Sequence, residues 1–263
     1  MLKKVTLILI GIVLIVGLFN YDKIAGKLLK RLPDKVDNYL ATQFLPEKFW
    51  LHRVNSVGKQ EEFSSKYAGL EFDIVFHDKE MAFENSHDAD SLEKFNFEMQ
   101  LKLYQSLGNA NGMWLDFKNL TEKNKFDSLT VLSNLLEKYN VDKSKVWVES
   151  QNWQALRVFK EAGFRTSYYF PYYNFRKMSN NEVEEAKQKT EKIALSGNVD
   201  AISFYGGYYS FICDLQLPPR IVLLSWLNGQ GWLEVCVLKK YANIRNDERV
   251  KVILVKDLGK YNR

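Results

Sequence analysis

Short apolar runs rich in β-branched and aromatic residues recur along residues 47–263, and stretches with apolar positions every three or four residues separate most of them. The first pattern is typical of strands and the second of amphipathic helices. Helices are predicted over Ser91–Leu107, Phe126–Tyr139, Gln151–Ala162 and Asn181–Leu195. Eight strands are predicted, over Phe49–Val54, Gly69–Phe76, Gly112–Phe117, Lys145–Glu149, Arg165–Phe170, Asp200–Tyr205, Arg220–Leu227 and Val250–Val255.

Alternation of strand and helix predicts parallel strands joined by helical crossovers. Eight such repeats within about 215 residues predict an α/β fold of the (β/α)₈, or TIM-barrel, type. The alternative is an open doubly wound sheet, which predicts a glycine-rich phosphate turn after the first strand. Residues 52–59 contain no such turn, so the sequence favours the barrel. The run Met81–Asn85 predicts a short extra strand or hairpin after the second strand.

The chain opens with an apolar segment. Residues 5–21 are 17 residues without a charge, preceded by Lys3 and Lys4. As a helix, this segment just reaches across a hydrocarbon core of roughly 30 Å. The sequence therefore predicts a single-pass transmembrane helix over 1–21, a basic stalk over 22–46 and an extracytoplasmic barrel over 47–263. The alternatives for the segment are a cleaved signal, for which no convincing small-x-small site follows, and a buried hydrophobic helix.

Charge is concentrated beside this segment. The whole chain has 37 basic and 32 acidic residues, and residues 1–31 hold six of the basic and one of the acidic residues, so 31 of each remain. A neutral body is a poor candidate for binding nucleic acid, which requires clustered positive charge. Hydrophobic residues make up 46% of the chain, which is typical of a globular protein. The two cysteines, Cys213 and Cys236, are too few for a disulfide scaffold.

Three acids are expected to face one site at the carboxyl ends of the strands, where the chemistry of such barrels collects. Glu71 and Asp73 share one face of the second strand, and Asp116 shares a face of the third with Lys118. Buried carboxylates require neutralisation, and one lysine does not balance three acids. Oxygen ligands select a hard metal, so the sequence predicts one divalent cation, Mg²⁺ or Ca²⁺.

Two of the three histidines accompany these acids. His52 ends the first strand, and His87 follows the second. Histidine serves as acid or base near neutral pH. A metal, a lysine and two histidines suit cleavage of a phosphodiester, with Lys118 on the phosphate oxygens. One histidine would then remove a hydroxyl proton or attack phosphorus, and the other would protonate the leaving oxygen. The third histidine, His77, is predicted to be an exposed turn residue.

The order of these motifs resembles the glycerophosphodiester phosphodiesterase-like superfamily of phosphodiesterase barrels. His52-Arg53 is similar to its opening His-Arg, Glu71-x-Asp73 to its Glu-x-Asp, and His87-Asp88 to its His-Asp. Asp116-x-Lys118 is similar to its Glu-x-Lys, with Asp in place of Glu as in the sphingomyelinase D (phospholipase D) toxin and menorin-type branches. The resemblance covers residues 47 to about 230.

This resemblance implies a metal-dependent phosphodiesterase, a phosphoric diester hydrolase. Its catalytic residues would be His52, His87 and Lys118, and its metal ligands Glu71, Asp73 and Asp116. Two departures alter the loop that shapes the substrate pocket. The Pro-Glu-Asn segment after the first strand is missing, and the interval from His52 to Glu71 is short.

Residues at strand ends are candidates for contact with substrate. They are Arg53 and Asn55 after the first strand, and Glu149, Tyr205 and Trp226 at the ends of later strands. The predicted function is membrane-anchored cleavage of a glycerophosphodiester or lysophospholipid, by hydrolysis or by formation of a cyclic phosphate. Two alternatives remain open: a non-catalytic menorin-like surface or interaction protein on the same barrel, and an enzyme acting on a polymer phosphodiester of the cell envelope.

Overall fold

The computed structural model describes residues 11, 22–29, 31, 39–41, 43–86, 95–108 and 111–257. Within these ranges the strands are β1 (Phe49–Leu51), β2 (Gly69–His77), β3 (Ala82–Asn85), β4 (Phe95–Asn96), β5 (Gly112–Phe117), β6 (Val146–Ser150), β7 (Arg165–Tyr169), β8 (Ala201–Tyr205), β9 (Val222–Gly231) and β10 (Val250–Lys256). The helices are α1 (Asp22–Leu29), α2 (Val57–Phe63), α3 (Phe97–Ser106), α4 (Lys125–Lys138), α5 (Leu156–Glu161), α6 (Asn180–Leu195), α7 (Tyr209–Cys213), α8 (Trp232–Val237) and α9 (Ala242–Asn246).

The predicted barrel is confirmed. Strand β1 pairs in parallel with both β10 and β2, which closes a ring of eight parallel strands: β1, β2, β5, β6, β7, β8, β9 and β10. All eight predicted strands are present. The short extra strand predicted at Met81–Asn85 is β3, which runs antiparallel to β2, and β4 extends it.

Two helices begin later than their apolar spacing predicted. Helix α3 begins at Phe97 rather than at Ser91, because residues 95 and 96 pair with β3 instead. Helix α5 begins at Leu156 rather than at Gln151, because a turn precedes it. It ends beside Gly163, whose φ of 94° lies in the left-handed region where glycine is favoured.

Apolar side chains fill two spaces, one inside the barrel and one between the barrel and its helices. The larger cluster contains most of the buried phenylalanines and joins the strands to the helices. The smaller cluster fills the barrel interior with Trp114, Trp147, Ala201, Leu224, Val252 and Leu254. At the amino-terminal end, the ring of Trp50 lies where side chains at Gly69 and Gly112 would be, since added Cβ atoms would come within 2.0 and 2.3 Å of it. The inside of the barrel is therefore packed below the carboxyl-terminal mouth.

The predicted single-pass membrane location is contradicted. Among the residues that the structure describes, no helix combines the length and the apolarity needed to cross a bilayer. The apolar segment behind this prediction, residues 5–21, lies outside the described residues apart from Gly11. Within the predicted stalk, α1 buries Ala25 and Leu29, and Asp22 accepts a hydrogen bond from the backbone N–H of Lys240 at 3.1 Å. The domain boundaries at 21 and 46 stay predictions.

Candidate active site

Three carboxylates meet inside the mouth of the barrel. Glu71 and Asp73 project from β2, and Asp116 projects from the neighbouring β5, where it is paired in register with Asp73. One carboxylate oxygen from each lies within 4.8 Å of the others, and Glu71 and Asp73 are each only 1% exposed. The alternation of side chains along parallel strands produces this convergence, because residues two apart share a face.

The spacing of these oxygens fits a bound cation. Calcium–oxygen bonds are roughly 2.3–2.6 Å long, so oxygens on opposite sides of the ion are separated by about 5 Å. Burial raises the pKa of Glu71 well above its usual value, and the charges of Asp73 and Asp116 raise it further. Neutralisation by a divalent cation would relieve this repulsion. The three acids thus fit the single hard cation that the sequence predicted.

Lys118 lies beside the acids. Its ammonium is 2.6 Å from Asp73 Oδ1 and also pairs with Asp116 Oδ2. The charges of Asp116, Asp73 and Glu71 outweigh the effect of burial and raise the pKa of Lys118. The lysine therefore stays charged and presents a fixed cation next to the acids, which still outnumber it.

The turn after β1 brings His52 to the same place. Its Nε2 lies 3.7 Å from Glu71 Oε2, and the residue is 8% exposed. Burial lowers the pKa of His52 well below its usual value, and the nearby charges of Arg53 and Lys256 lower it further. The imidazole is therefore neutral at physiological pH, which is the form that accepts a proton.

The side chain of Asn55 contacts Asp73, a candidate metal ligand, and does not line the cleft. Its amide donates to Asp73 Oδ2 at 2.5 Å, and its Oδ1 accepts the backbone N–H of Asp73 at 3.1 Å. The sequence predicted that Asn55 contacts substrate, whereas the structure places its side chain against Asp73. His87, the second predicted catalytic histidine, lies outside the described residues, as does Asp88. The role of His87 stays a prediction.

A cleft of about 480 Å³ opens above the acids. Of the five predicted substrate contacts, Arg53, Glu149 and Trp226 line it. Glu149 is 2% exposed, and burial together with the charge of Asp116 raises its pKa well above the usual value. Tyr205 lines a neighbouring cavity of about 280 Å³ instead, with its ring 6.2 Å from that of Trp226.

Tyr169 and Lys59 lie at this site, although neither is among the predicted catalytic, metal-binding or substrate-binding residues. Tyr169, the last residue of β7, lines the cleft and stacks on Trp226, with ring centroids 5.2 Å apart and an angle of 22° between the planes. Its position at a strand end is the signal that could have identified it. Lys59 is buried below the turn that carries His52, and nothing in its sequence context distinguishes it from a surface lysine.

Comparison with known proteins finds similar folds but no similar sequence. No family model matches the chain, and no curated protein sequence matches it. Similar solved structures include a glycerophosphodiester phosphodiesterase from Parabacteroides distasonis ATCC 8503, with 16% identity, a TM-score of 0.55, and coverage of 82% of this chain and 94% of that one.

Two further structures are assigned to the same class. A protein of Silicibacter pomeroyi DSS-3 is 12% identical, with a TM-score of 0.56 and coverage of 86% of this chain and 95% of that one. A protein of Galdieria sulphuraria is 15% identical, with a TM-score of 0.53 and coverage of 81% and 95%. At these identities the likeness is one of fold. The chain has the closed parallel barrel of the glycerophosphodiester phosphodiesterases, as the motif resemblance indicated.

Proposed function

We propose that this protein is a metal-dependent phosphoric diester hydrolase that cleaves a glycerophosphodiester or lysophospholipid-type substrate. One observation carries the proposal: Glu71, Asp73 and Asp116 converge at the barrel mouth together with Lys118 and His52. Acids packed this closely are costly in a purely structural role, because each buried charge requires compensation. The fold shared with glycerophosphodiester phosphodiesterases supports the same reaction class.

Each side chain has a task that its position supports. When bound by the three carboxylates, Mg²⁺ or Ca²⁺ would supply positive charge beside the phosphate oxygens. Lys118, held by Asp73, donates to a non-bridging oxygen and stabilises the negative charge that develops there. The neutral imidazole of His52 removes the proton of the attacking water or substrate hydroxyl, or it attacks phosphorus itself to form a phosphohistidine that water then hydrolyses. His87, whose catalytic role rests on the sequence alone, would then protonate the leaving oxygen.

The cleft walls would hold the rest of the substrate. Arg53 supplies a cation at the rim, and the stacked rings of Trp226 and Tyr169 supply a flat apolar wall. A volume of about 480 Å³ suits a phosphate with a small polar headgroup. An acyl chain would extend out of the mouth, because Trp114 and Leu254 occupy the barrel interior below the cleft.

A substrate screen tests this function. Purified protein is incubated with glycerophosphodiesters and lysophospholipids, with Mg²⁺, with Ca²⁺ and with a chelator, and phosphorus NMR separates phosphate monoester from cyclic phosphate. We expect metal-dependent turnover that Asp116→Asn removes and Glu84→Gln, outside the cleft, retains. No turnover of any diester, together with metal binding that Asp116→Asn weakens, would instead favour the non-catalytic interaction protein.

A further inference from the structure

Lys59, on α2, is a buried lysine without a carboxylate partner among the described residues. It is 4% exposed, and its ammonium donates to the carbonyl oxygens of His52 at 2.7 Å and Arg53 at 3.0 Å. Burial lowers the pKa of Lys59 to about 8, while the charges of Glu71 and Asp257 oppose this shift. Because the buried Lys59 ammonium donates to both carbonyls, it restrains the backbone of the turn that contains His52 and Arg53.

That turn has a backbone conformation that needs support. Arg53 has a φ of 55°, in the left-handed region, which is unfavourable for a residue with a Cβ. In this conformation its backbone N–H donates to Glu71 Oε2 at 2.5 Å. The next N–H, that of Val54, donates to the backbone carbonyl of Glu71 at 2.7 Å. Two backbone hydrogen bonds therefore join the turn after β1 to Glu71, a candidate metal ligand.

The same turn determines the position of the His52 imidazole. His52 lies immediately before Arg53, and its Nε2 is 3.7 Å from the Glu71 oxygen that the Arg53 amide also contacts. A change in the Arg53 backbone would thus move both the amide and the imidazole relative to Glu71. The ammonium of Lys59 holds the two carbonyls of this dipeptide side by side, a task that requires several donors on one atom.

We infer that Lys59 is a positioning residue: by binding the carbonyls of His52 and Arg53, it keeps the Arg53 amide and the His52 imidazole on Glu71. Its side chain does not line the cleft. The inference rests on the proposed function where it concerns metal affinity and turnover, whereas its structural part concerns the Arg53 backbone alone.

Metal affinity is the first measurement. Calorimetry of the full chain with Ca²⁺ or Mg²⁺ is expected to show 10- to 100-fold weaker binding for Lys59→Met than for wild type, as is usual when a residue behind a metal ligand is removed. Lys102→Met, an exposed lysine on α3, is the matched control and is expected to bind as wild type does. Binding by Lys59→Met within twofold of wild type would overturn the inference.

A second pair of variants separates positioning from general loss of stability. Glycine adopts a positive φ without strain, and Arg53→Gly keeps the backbone amide that contacts Glu71. The effect of Lys59→Met on metal affinity and on the urea midpoint should therefore be smaller in an Arg53→Gly background than in wild type. Equal effects in both backgrounds would show that Lys59 merely fills space.

The two proposals fail differently. If wild type binds no divalent cation, the proposed function is wrong, and the urea midpoints of the four proteins still decide whether Lys59 supports the Arg53 turn. If wild type binds metal and turns over substrate but Lys59→Met does so equally well, only the positioning role is wrong.

Discussion

The ammonium of Lys118 lies 2.6 Å from Asp73 Oδ1, on the strand next to its own. The parallel register of β2 and β5 pairs Asp73 with Asp116, and the backbone N–H of Lys118 donates to the carbonyl of Ile74 at 2.9 Å. Under the proposed function, the lysine would therefore compete with the cation for Asp73 while also facing the cleft that would hold the phosphate.

Lys118→Met is expected to bind Mg²⁺ or Ca²⁺ more tightly than wild type and to turn over at least about 100-fold more slowly. Removal of the ammonium frees Asp73 and removes a like charge near the cation, whereas the developing charge on the phosphate loses its donor. Calorimetry and steady-state kinetics on one protein preparation measure both effects. Weaker metal binding in the variant would contradict this picture of the lysine.

His52 and His87, the two predicted catalytic histidines, should each be indispensable. His52→Ala and His87→Ala are expected to lose at least about 100-fold in kcat with the circular dichroism spectrum unchanged, because each removes one proton-transfer partner. His77→Ala is the matched control, since His77 pairs with Glu84 at 2.7 Å outside the cleft. Its activity should equal that of wild type. Full activity in either of the other two would end the two-histidine assignment.

Removal of one candidate ligand should weaken metal binding by at least tenfold. Asp116→Asn leaves a neutral oxygen in place of a charged one, and a chelator should abolish turnover in wild type. Because metal binds only the folded state, Ca²⁺ or Mg²⁺ should raise the wild-type Tm in a concentration-dependent way. Asp127→Asn, exposed on α4, is the control and should keep this shift. A shift of equal size in Asp116→Asn would place the metal elsewhere.

The aromatic wall should govern substrate binding more than chemistry. Trp226→Ala removes the ring that stacks on Tyr169 at 5.2 Å, and we expect a severalfold rise in KM with a smaller change in kcat. Tyr172→Ala, which removes an exposed ring outside the cleft, should leave KM unchanged. An unaltered KM in the Trp226 variant would mean that substrate does not reach this wall.

Asp247 should make stability depend on pH in the acid range. Hydrogen bonds from the Arg249 guanidinium are the main cause that lowers the pKa of Asp247 from 3.8 to about 2. As pH falls from about 4 to 2, the unfolded chain takes up this proton before the folded one, so the stabilisation present above pH 4 is lost. Asp247→Asn should destabilise by about 1–3 kcal/mol at pH 7 and by much less at pH 2. Urea unfolding at the two pH values measures this, and an equal difference at both would refute it.

The barrel was predictable because its signals are local. Apolar runs of strand length, repeated eight times, appear directly in the sequence, and the alternation of side chains placed Glu71, Asp73 and Asp116 correctly. Helix starts were less predictable. Residues 95 and 96 continue the apolar spacing of α3 but pair with β3, and that choice depends on a partner distant in sequence.

Other differences between the sequence-based expectations and the structure have the same origin. Asn55 follows the first strand and looks like a substrate ligand, but its hydrogen bonds to Asp73 exist only once β1 and β2 lie side by side. Burial of Lys59 likewise depends on how α2 packs below the turn. The membrane location was wrong because it was inferred from the hydropathy of one segment, and the described chain contains no spanning helix.

The indole of Trp50, lying across Gly69 and Gly112, gives the barrel a blind end. In the proposed reaction, substrate and product would therefore share the mouth of the cleft, and an attacking water molecule would have to enter there as well. A bulky leaving group would therefore delay the arrival of bulk water, and a nucleophile already attached to the substrate would have the advantage.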